Sequence, residues 1–299
     1  PREHAQAREA FNAGAAALFV PEIELENALT VLANHGQSQR SRESEHPMAL
    51  RHPASPHLPM PAWAPTEVSG SAMSALDRWF VELVQANPQL RIRIGNPDEL
   101  ASNKMGTTLA LLKHRVNVPE PGVPESTDGS VVTALNEEAV AAAALANKGG
   151  LNLIVSYEAF AVKMLGLIRQ EIIFARRQKE LGQPPGWISI PLVVTSHTWE
   201  NSKNEQSHQD PTIGEALLGE MSDTARVLFP VDENTACAAL RAVYASRGQV
   251  ACVVVSKRDT PNHFSAAAAQ SLIEHGAAHV AGDPSTAQLQ FVAIGAYQL

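Results

Sequence analysis

Apolar residues recur at helical spacing in several stretches of the chain. Ala75, Trp79 and Leu83 lie four residues apart and would share one face of a helix, so they predict a helix over residues 72–85. Similar patterns predict further helices over residues 136–147, 157–179, 233–246 and 266–275, and two helical stretches within residues 3–35 that are broken at Pro21.

Short apolar runs rich in β-branched residues alternate with these helices. The run VACVVV at residues 250–255 is apolar at every position, as in a strand that helices cover on both sides. This alternation predicts an α/β fold, in which a parallel β-sheet carries helices on both faces. Ligands of such sheets bind beyond the carboxyl ends of the strands. The predicted strands are residues 91–94, 151–155, 188–195, 225–229, 249–255 and 289–294.

Residues 36–65 carry a proline every few positions, which predicts an extended linker. His46, His52 and His57 lie in this linker. A metal site is one interpretation, but no cysteine or carboxylate stands at ligand spacing, so solvated histidines are favoured. The predicted organisation is a helical segment with its Pro/His-rich linker (1–69), an α/β domain (70–262) and a separate C-terminal part (263–299).

Composition narrows the class of protein. The 299 residues are 44% hydrophobic and 18% charged, as in globular proteins, and the net charge of −8 without a basic stripe argues against nucleic-acid binding. No apolar run approaches the roughly 20 residues of a membrane helix, and no secretory signal is visible. Two cysteines make no disulfide framework in a chain of this length, so we expect a cytoplasmic protein. The phosphate-binding, nucleophile-elbow and zinc-peptidase motifs GxxxxGK[ST], GxGxxG, GxSxG and HExxH are absent where they would carry function.

Five segments at the predicted strand ends resemble the phosphoketolase family, in the same order and at similar spacing. The similarity extends over roughly residues 70–262. The segments are RIRIGNPDELASNKMG (91–106), SYEAF (156–160), TSHTWENSKNEQSHQDP (195–211), RVLFPVDENT (226–235) and VVVSKRD (253–259).

The resemblance implies a thiamine-diphosphate enzyme that cleaves xylulose 5-phosphate or fructose 6-phosphate with inorganic phosphate, giving acetyl phosphate and an aldose phosphate. Residues 70–262 would be the domain that binds the aminopyrimidine ring of the cofactor. The GDG…N motif that binds the diphosphate and Mg²⁺ is missing, so that domain is expected outside this chain. We accordingly expect a piece of a longer protein, with residues 263–299 opening a truncated domain and the cofactor shared across a homodimer interface.

Glu99 matches the family glutamate that hydrogen-bonds N1′ of the aminopyrimidine. Burial raises the pKa of a carboxyl group, so a dry pocket would let this side chain share a proton with the ring. The alternative is an acid in the first turn of a helix that Asp98 caps. The other matching segments favour the cofactor role.

Tyr157 and Phe160 stand three residues apart at the start of a predicted helix, so both rings can face one side. The resemblance assigns them to the walls that stack on the aminopyrimidine. An aromatic pair on an apolar stripe is by itself more typical of a core. Their place within SYEAF favours the cofactor pocket.

Three further residues match family positions near the substrate. His208 matches a histidine that moves protons at the reacting carbons, although Asp210–Pro211 beside it also reads as a helix start. Asn204 matches an asparagine near the substrate, and Lys257 matches a lysine that reaches substrate phosphate. A single lysine after a strand is otherwise usually solvated.

The chain departs from the family pattern at several positions. Asn96 replaces a glycine, and asparagine tolerates the positive φ of a turn better than other residues. Glu200 stands where the family usually has arginine, which predicts weaker or altered use of xylulose 5-phosphate unless its carboxylate points away from the cleft. A transketolase-like enzyme with a different donor and a non-catalytic scaffold therefore remain as alternatives.

Overall fold

The computed structural model describes residues 2–35, 53–97, 100–200, 205–220 and 222–296. The chain divides into two compact units, residues 1–50 and 51–299. In the first unit, helices α1 (Arg2–Ala17) and α2 (Glu22–His35) flank Pro21, as predicted. The Pro21 carbonyl accepts hydrogen bonds from Glu24 and Leu25, which begins α2. Residues 98–99, which include Glu99, and residues 201–204, which include Asn204, lie outside the described residues, as do His46 and His52.

The second unit is built on an eight-stranded sheet in which every neighbouring pair is parallel, as predicted. The strand order is β4-β3-β5-β2-β6-β7-β9-β8. A separate antiparallel pair joins β1 (Ser69–Ser71) to β10 (Asp259–Pro261). The strands of the large sheet are β2 (Arg91–Asn96), β3 (His114–Arg115), β4 (Glu125–Ser126), β5 (Val131–Thr133), β6 (Gly150–Tyr157), β7 (Ile190–Thr195), β8 (Ala225–Leu228) and β9 (Val250–Val254).

Helices cover both faces of this sheet, because its strands are apolar on both sides. One buried cluster includes residues of α3 and α9, and the other includes residues of α5, α7 and α8. α5 approaches β2 closely, since a Cβ on Gly95 would lie 2.3 Å from the Val140 carbonyl oxygen. The helices of this unit are α3 (Ala72–Gln85), α4 (Gly106–Leu112), α5 (Glu137–Leu145), α6 (Glu158–Ala161), α7 (Leu165–Glu180), α8 (Thr212–Leu218), α9 (Glu233–Ala245) and α10 (Ala266–His275).

Side chains at the helix starts explain where several helices begin. Ser71 accepts a hydrogen bond from the Ser74 amide at α3, and Asn136 accepts one from Ala139 at α5. Asp232 and Thr235 form a capping box at α9. Each side chain satisfies a backbone N–H that has no partner within its helix.

Residues 53–65 form no helix or strand, in agreement with the predicted extended linker, and His57 is exposed. The segment is nevertheless fastened to the α/β unit by side-chain hydrogen bonds. Asn87 both donates to the His57 carbonyl and accepts from its amide at 2.8 Å. Arg247 donates to the Pro53 carbonyl at 2.9 Å, and Trp79 donates to the Pro59 carbonyl at 3.1 Å. Residues 53–65 therefore belong to the packed structure.

Two predicted elements differ in the structure. The strand predicted over residues 289–294 is wrong, because this segment pairs with no strand and Leu289, Phe291 and Val292 are at least 70% exposed. Apolar content alone does not make a strand, which needs a neighbour for its backbone groups. The helix predicted over residues 157–179 is interrupted, since a 3₁₀ turn (Val162–Met164) joins α6 to α7.

None of the helices in the described part of the chain combines the length and the hydropathy required to cross a membrane.

Candidate functional site at the carboxyl edge of the sheet

Four neighbouring strands, β2, β6, β7 and β9, end at one edge of the sheet. Since the strands are parallel, the segments that follow them meet at this carboxyl edge, where α/β sheets bind ligands. The side chains predicted to act in chemistry come from these segments.

An aromatic cluster of Tyr157, Phe160 and His208 lies at the carboxyl edge. Tyr157 ends β6 and Phe160 follows in α6, and their ring centroids are 5.8 Å apart in an edge-to-face arrangement. His208 comes from the segment after β7, and its ring lies 5.0 Å from Tyr157 and 5.1 Å from Phe160. Tyr157 is buried, while Phe160 and His208 are half-buried. The structure therefore brings together three predicted site residues from two separate segments.

Two cations lie against this cluster. The Lys257 ammonium, from the segment after β9, is 4.6 Å from the centroid of the Tyr157 ring. The Lys163 ammonium is 5.5 Å from the Phe160 ring and forms an ion pair with Glu137 at 3.1 Å. A cation within about 6 Å of a ring centroid is attracted by the negative face of the ring. Lys257 is thus a half-buried part of the cluster rather than a solvated side chain.

The segment that carries Glu99 is tied to the aromatic cluster. Pro97 and Leu100, on either side of the undescribed pair, are buried beyond β2. The hydroxyl groups of Ser102 and Tyr157 share a hydrogen bond of 2.6 Å. Asn103 is fully buried and accepts a hydrogen bond from the Thr195 hydroxyl at the end of β7. These contacts place the residues that follow Glu99 beside the Tyr157 ring.

Glu158 stands between Tyr157 and Phe160 in the sequence, and its side chain is buried. Its Oε2 accepts hydrogen bonds from the Thr198 amide and hydroxyl, both at 2.7 Å, and from the Asp210 amide at 3.1 Å. Burial raises the pKa of this carboxyl group, while the hydrogen bonds from Thr198 and Asp210 oppose that rise. One oxygen atom therefore holds residues at both ends of the loop that carries His208.

Glu200 is also buried, with 2% of its surface exposed. Its Oε1 accepts hydrogen bonds from the amides of Lys257 and Arg258, at 3.1 Å and 3.2 Å, and from the Ser256 hydroxyl at 3.3 Å. The Glu200 carboxylate is therefore hydrogen-bonded to the turn that follows β9.

His197 follows β7 and is buried, and burial lowers the pKa of its imidazole to about 4. It is accordingly neutral near pH 7. Ser196 before it has a φ of 51°, a left-handed conformation that non-glycine residues adopt at a cost of about 1 kcal/mol. Such strained positions cluster at functional sites.

Three buried polar atoms at the carboxyl edge have no hydrogen-bond partner in the described structure: Asn96 Oδ1 at the end of β2, Ser156 Oγ near the end of β6, and Glu200 Oε2. Buried polar atoms normally find a partner, so an unpartnered group is a position for a water molecule or a ligand.

These features fit the aminopyrimidine half of thiamine diphosphate. Aromatic ring faces suit a flat heterocycle, and polar atoms that lack partners suit its nitrogen atoms. Among the described residues, no group of three or more His, Cys, Asp and Glu side chains is placed to hold a metal ion.

Sequence reasoning missed the structural part that Glu158, Ser102 and His197 play at this edge. All three lie inside the matching segments, at SYEAF, ASN and TSH. For Glu158 and His197 the available signal was a polar side chain just after an apolar strand. The contacts of Glu158 with Thr198 and Asp210 span 40 and 52 residues, which no local pattern reveals.

Comparison with protein families gives a match to a family described as D-xylulose 5-phosphate/D-fructose 6-phosphate phosphoketolase. The match covers residues 74–246, which is more than half of the chain.

Curated relatives give the same result. A probable phosphoketolase of Bradyrhizobium diazoefficiens is 27% identical over 208 residues, which is 67% of this chain and 26% of the relative. A probable phosphoketolase of Lactococcus lactis is 26% identical over 235 residues, or 75% of this chain and 28% of the relative. The chain thus spans about a quarter of the length of the curated relatives it matches.

Solved transketolases share the fold. A transketolase from Leishmania mexicana aligns with a TM-score of 0.56 at 19% identity, over 74% of this chain and 30% of that one. A Pichia stipitis transketolase in complex with sedoheptulose 7-phosphate aligns with a TM-score of 0.52 at 13% identity, over 90% of this chain and 36% of that one. The architecture is therefore the thiamine-diphosphate α/β fold.

Proposed function

Because the chain belongs to the D-xylulose 5-phosphate/D-fructose 6-phosphate phosphoketolase family, we propose that it supplies the aminopyrimidine side of a phosphoketolase active site. The enzyme would cleave a ketose phosphate with inorganic phosphate to acetyl phosphate and an aldose phosphate. Since this chain spans about a quarter of its relatives, we assign the diphosphate and its Mg²⁺ to a domain outside these residues. We further propose a cytoplasmic homodimer that shares the cofactor between subunits.

The observation that carries this proposal is the cluster of Tyr157, Phe160, His208 and Lys257 at one edge of the sheet. The four residues come from three segments of the chain that follow different strands. A core that needed only apolar packing would have no use for a histidine and a lysine against its aromatic rings.

Thiamine diphosphate, when bound, supplies the nucleophilic carbon that a carbon–carbon cleavage next to a carbonyl group requires. In the proposal, Glu99 would share a proton with N1′ of the aminopyrimidine, and the rings of Tyr157 and Phe160 would stack on that heterocycle. The hydrogen bond between Ser102 and Tyr157 supports this arrangement, since it fixes the chain three residues beyond Glu99.

His208 is proposed to move protons at the reacting carbons. Its Nδ1 shares a hydrogen bond of 2.6 Å with the Ser207 hydroxyl, which orients the ring and directs Nε2 away from Ser207. The ring is half-buried, so one side is accessible to a substrate.

Lys257 and Asn204 are proposed to bind the substrate, with the Lys257 ammonium directed at the phosphate. Glu200 stands where the family usually has arginine, so one cation is missing from this binding region. We therefore propose weaker or altered use of xylulose 5-phosphate. The Glu200 carboxylate accepts three hydrogen bonds from residues 256–258, so we attribute this proposed difference to the missing cation rather than to repulsion by the anion.

The proposal is tested in the intact enzyme that contains this chain, by following acetyl phosphate formation from xylulose 5-phosphate and from fructose 6-phosphate. We expect activity that depends on thiamine diphosphate, and its loss by at least about a thousandfold in Glu99→Ala, because the acid is needed for cofactor activation. Glu215→Ala, which removes an exposed carboxylate on α8, is the matched control and should retain activity.

Two results would contradict the proposal. Equal activity in Glu99→Ala and in the control would remove Glu99 from the chemistry. Transfer of a two-carbon unit to an aldose phosphate without acetyl phosphate formation would instead establish a transketolase-like reaction.

A further inference from the structure

Three adjacent strands carry the aromatic cluster and Lys257. β6, β7 and β9 are neighbours in the sheet, and the segments that follow them provide Tyr157 and Phe160, His208, and Lys257 respectively. The three segments come from different parts of the chain, so their relative positions depend on contacts between them.

Glu158 connects the first segment to the second. Its Oε2 accepts hydrogen bonds from Thr198 and Asp210, which lie ten residues before and two residues after His208. The same side chain lies between Tyr157 and Phe160 in sequence. The link therefore fixes both ends of the loop that carries His208, at Thr198 and Asp210, directly beside the two rings that His208 contacts.

Glu200 connects the second segment to the third. Its Oε1 accepts hydrogen bonds from the amides of Lys257 and Arg258. The Lys257 backbone is thus held from the β7 segment, while its side chain extends over Tyr157. Both links use buried carboxylates, and one oxygen atom of each accepts three hydrogen bonds. A carboxylate oxygen binds amides more strongly than a neutral acceptor does.

We propose that Glu158 and Glu200 are positioning residues that fasten the β6, β7 and β9 segments to one another and so set His208 and Lys257 against the Tyr157 ring. What they position rests on the proposed function, but the links themselves do not. The sequence indicates a charge reversal at Glu200 in a substrate loop. In this proposal its negative charge instead stabilises the turn that carries Lys257.

The two links make separate predictions for individual backbone amides, which residue-resolved hydrogen exchange of the 299-residue chain can measure. In Glu158→Ala, exchange at the Thr198 and Asp210 amides should rise at least about tenfold, while Lys257 and Arg258 keep their wild-type rates. In Glu200→Ala the Lys257 amide should exchange at least about tenfold faster, while Thr198 and Asp210 keep their wild-type rates. The Arg258 amide should respond less than that of Lys257, because it also donates to the Ser256 hydroxyl at 3.0 Å.

Conservative variants and a control separate local loosening from a general loss of structure. Glu158→Gln and Glu200→Gln keep an acceptor oxygen and should show smaller increases at the same amides. Glu215→Ala should change none of the four. Amides of the buried strand β9, such as that of Val253, report global unfolding and should be unchanged in the Gln variants.

Wild-type exchange at all four amides in both Ala variants would overturn the proposal. A uniform increase across the strands in the Ala variants, with no selective increase in the Gln variants, would also overturn it, because the carboxylates would then serve stability alone.

Kinetics of the intact enzyme give a second readout. Glu200→Ala should raise KM for the sugar phosphate more than it lowers kcat, since Lys257 is proposed to bind phosphate, whereas Glu158→Ala should mainly lower kcat through His208. Glu200→Arg, which restores the family residue, should raise exchange at Lys257 and Arg258 like Glu200→Ala. An enzyme without phosphoketolase activity would refute the proposed function and leave the exchange test of the links intact.

Discussion

Two buried polar side chains, Asn147 and Ser189, have protein hydrogen-bond partners at the amino edge of the parallel sheet, where the strands begin. Asn147 accepts a hydrogen bond from Arg91 Nε at 2.6 Å and donates to the Arg91 carbonyl at 2.9 Å and to Asn152 Oδ1 at 2.8 Å. Ser189 Oγ, just before β7, accepts from the Ser246 hydroxyl and the Gln249 amide.

At the carboxyl edge of the same strands, some buried polar atoms lack a hydrogen-bond partner. Asn96 Oδ1, Ser156 Oγ and Glu200 Oε2 are buried there without partners in the described structure. Polar groups whose hydrogen bonds are complete stabilise a fold, whereas buried groups with unused capacity mark where a ligand or water is expected. Both edges contain polar residues that hold segments together, such as Asn147 at the amino edge and Glu158 at the carboxyl edge. The carboxyl edge in addition carries the unpartnered buried atoms named above.

The largest effect on stability is expected at the amino edge. Asn147→Ala should lower the free energy of unfolding by about 3 kcal/mol, because the Arg91 carbonyl and Asn152 Oδ1 both lose a donor in a buried site. Urea unfolding of the chain measures this change. Asn117→Ala, at an exposed asparagine, should cost less than about 0.5 kcal/mol. Equal effects of the two substitutions would show that the Asn147 network contributes little.

An intermediate effect is expected from His197 and depends on pH. Its native pKa of about 4 lies below the unfolded value of 6.5, so the unfolded chain binds a proton more readily between these values. Acidification therefore destabilises the fold. From pH 7 to pH 5 the loss attributable to His197 should be about 2 kcal/mol.

The measurement compares urea unfolding of the wild type and His197→Gln at pH 7 and pH 5. Glu158, whose pKa is raised by burial, acts in the opposite direction because its native state binds the proton more readily. The difference between the two proteins cancels that contribution. His279→Gln, at an exposed histidine, should keep the wild-type pH dependence, and an unchanged dependence in His197→Gln would refute the prediction.

The smallest effect on the free energy of unfolding is expected for a serine at the carboxyl edge, and the same substitution at the amino edge serves as its comparison. Ser156→Ala should change the free energy of unfolding by less than about 0.5 kcal/mol, because the buried hydroxyl has no partner to lose. Ser189→Ala should cost about 1–2 kcal/mol, because it removes the acceptor of two hydrogen bonds. Both serines are buried, so equal costs in thermal or urea unfolding would remove the distinction between the edges.

Local patterns along the sequence were sufficient for most of the second unit. The four-residue spacing of Ala75, Trp79 and Leu83 predicted α3 with the bounds that the structure has, because one apolar stripe faces a core. Continuous apolar runs predicted the central strands and the parallel sheet. The short strands β3, β4 and β5 were not predicted, since runs of two or three residues carry no periodic signal.

The sequence by itself determined the alternation of helices and strands, the family, and the residue types that follow each strand, because these depend on neighbours within a few positions. Only the tertiary structure decided that His208 contacts Tyr157 and Phe160. It also decided that Glu158 binds both ends of the loop that carries His208, and that Glu200 accepts hydrogen bonds from the amides that follow β9. The same limit explains residues 289–294, where a strand-like composition lies exposed without a pairing partner. Burial and hydrogen-bond geometry depend on residues tens of positions away along the chain, and these residues come into contact only when the sheet assembles.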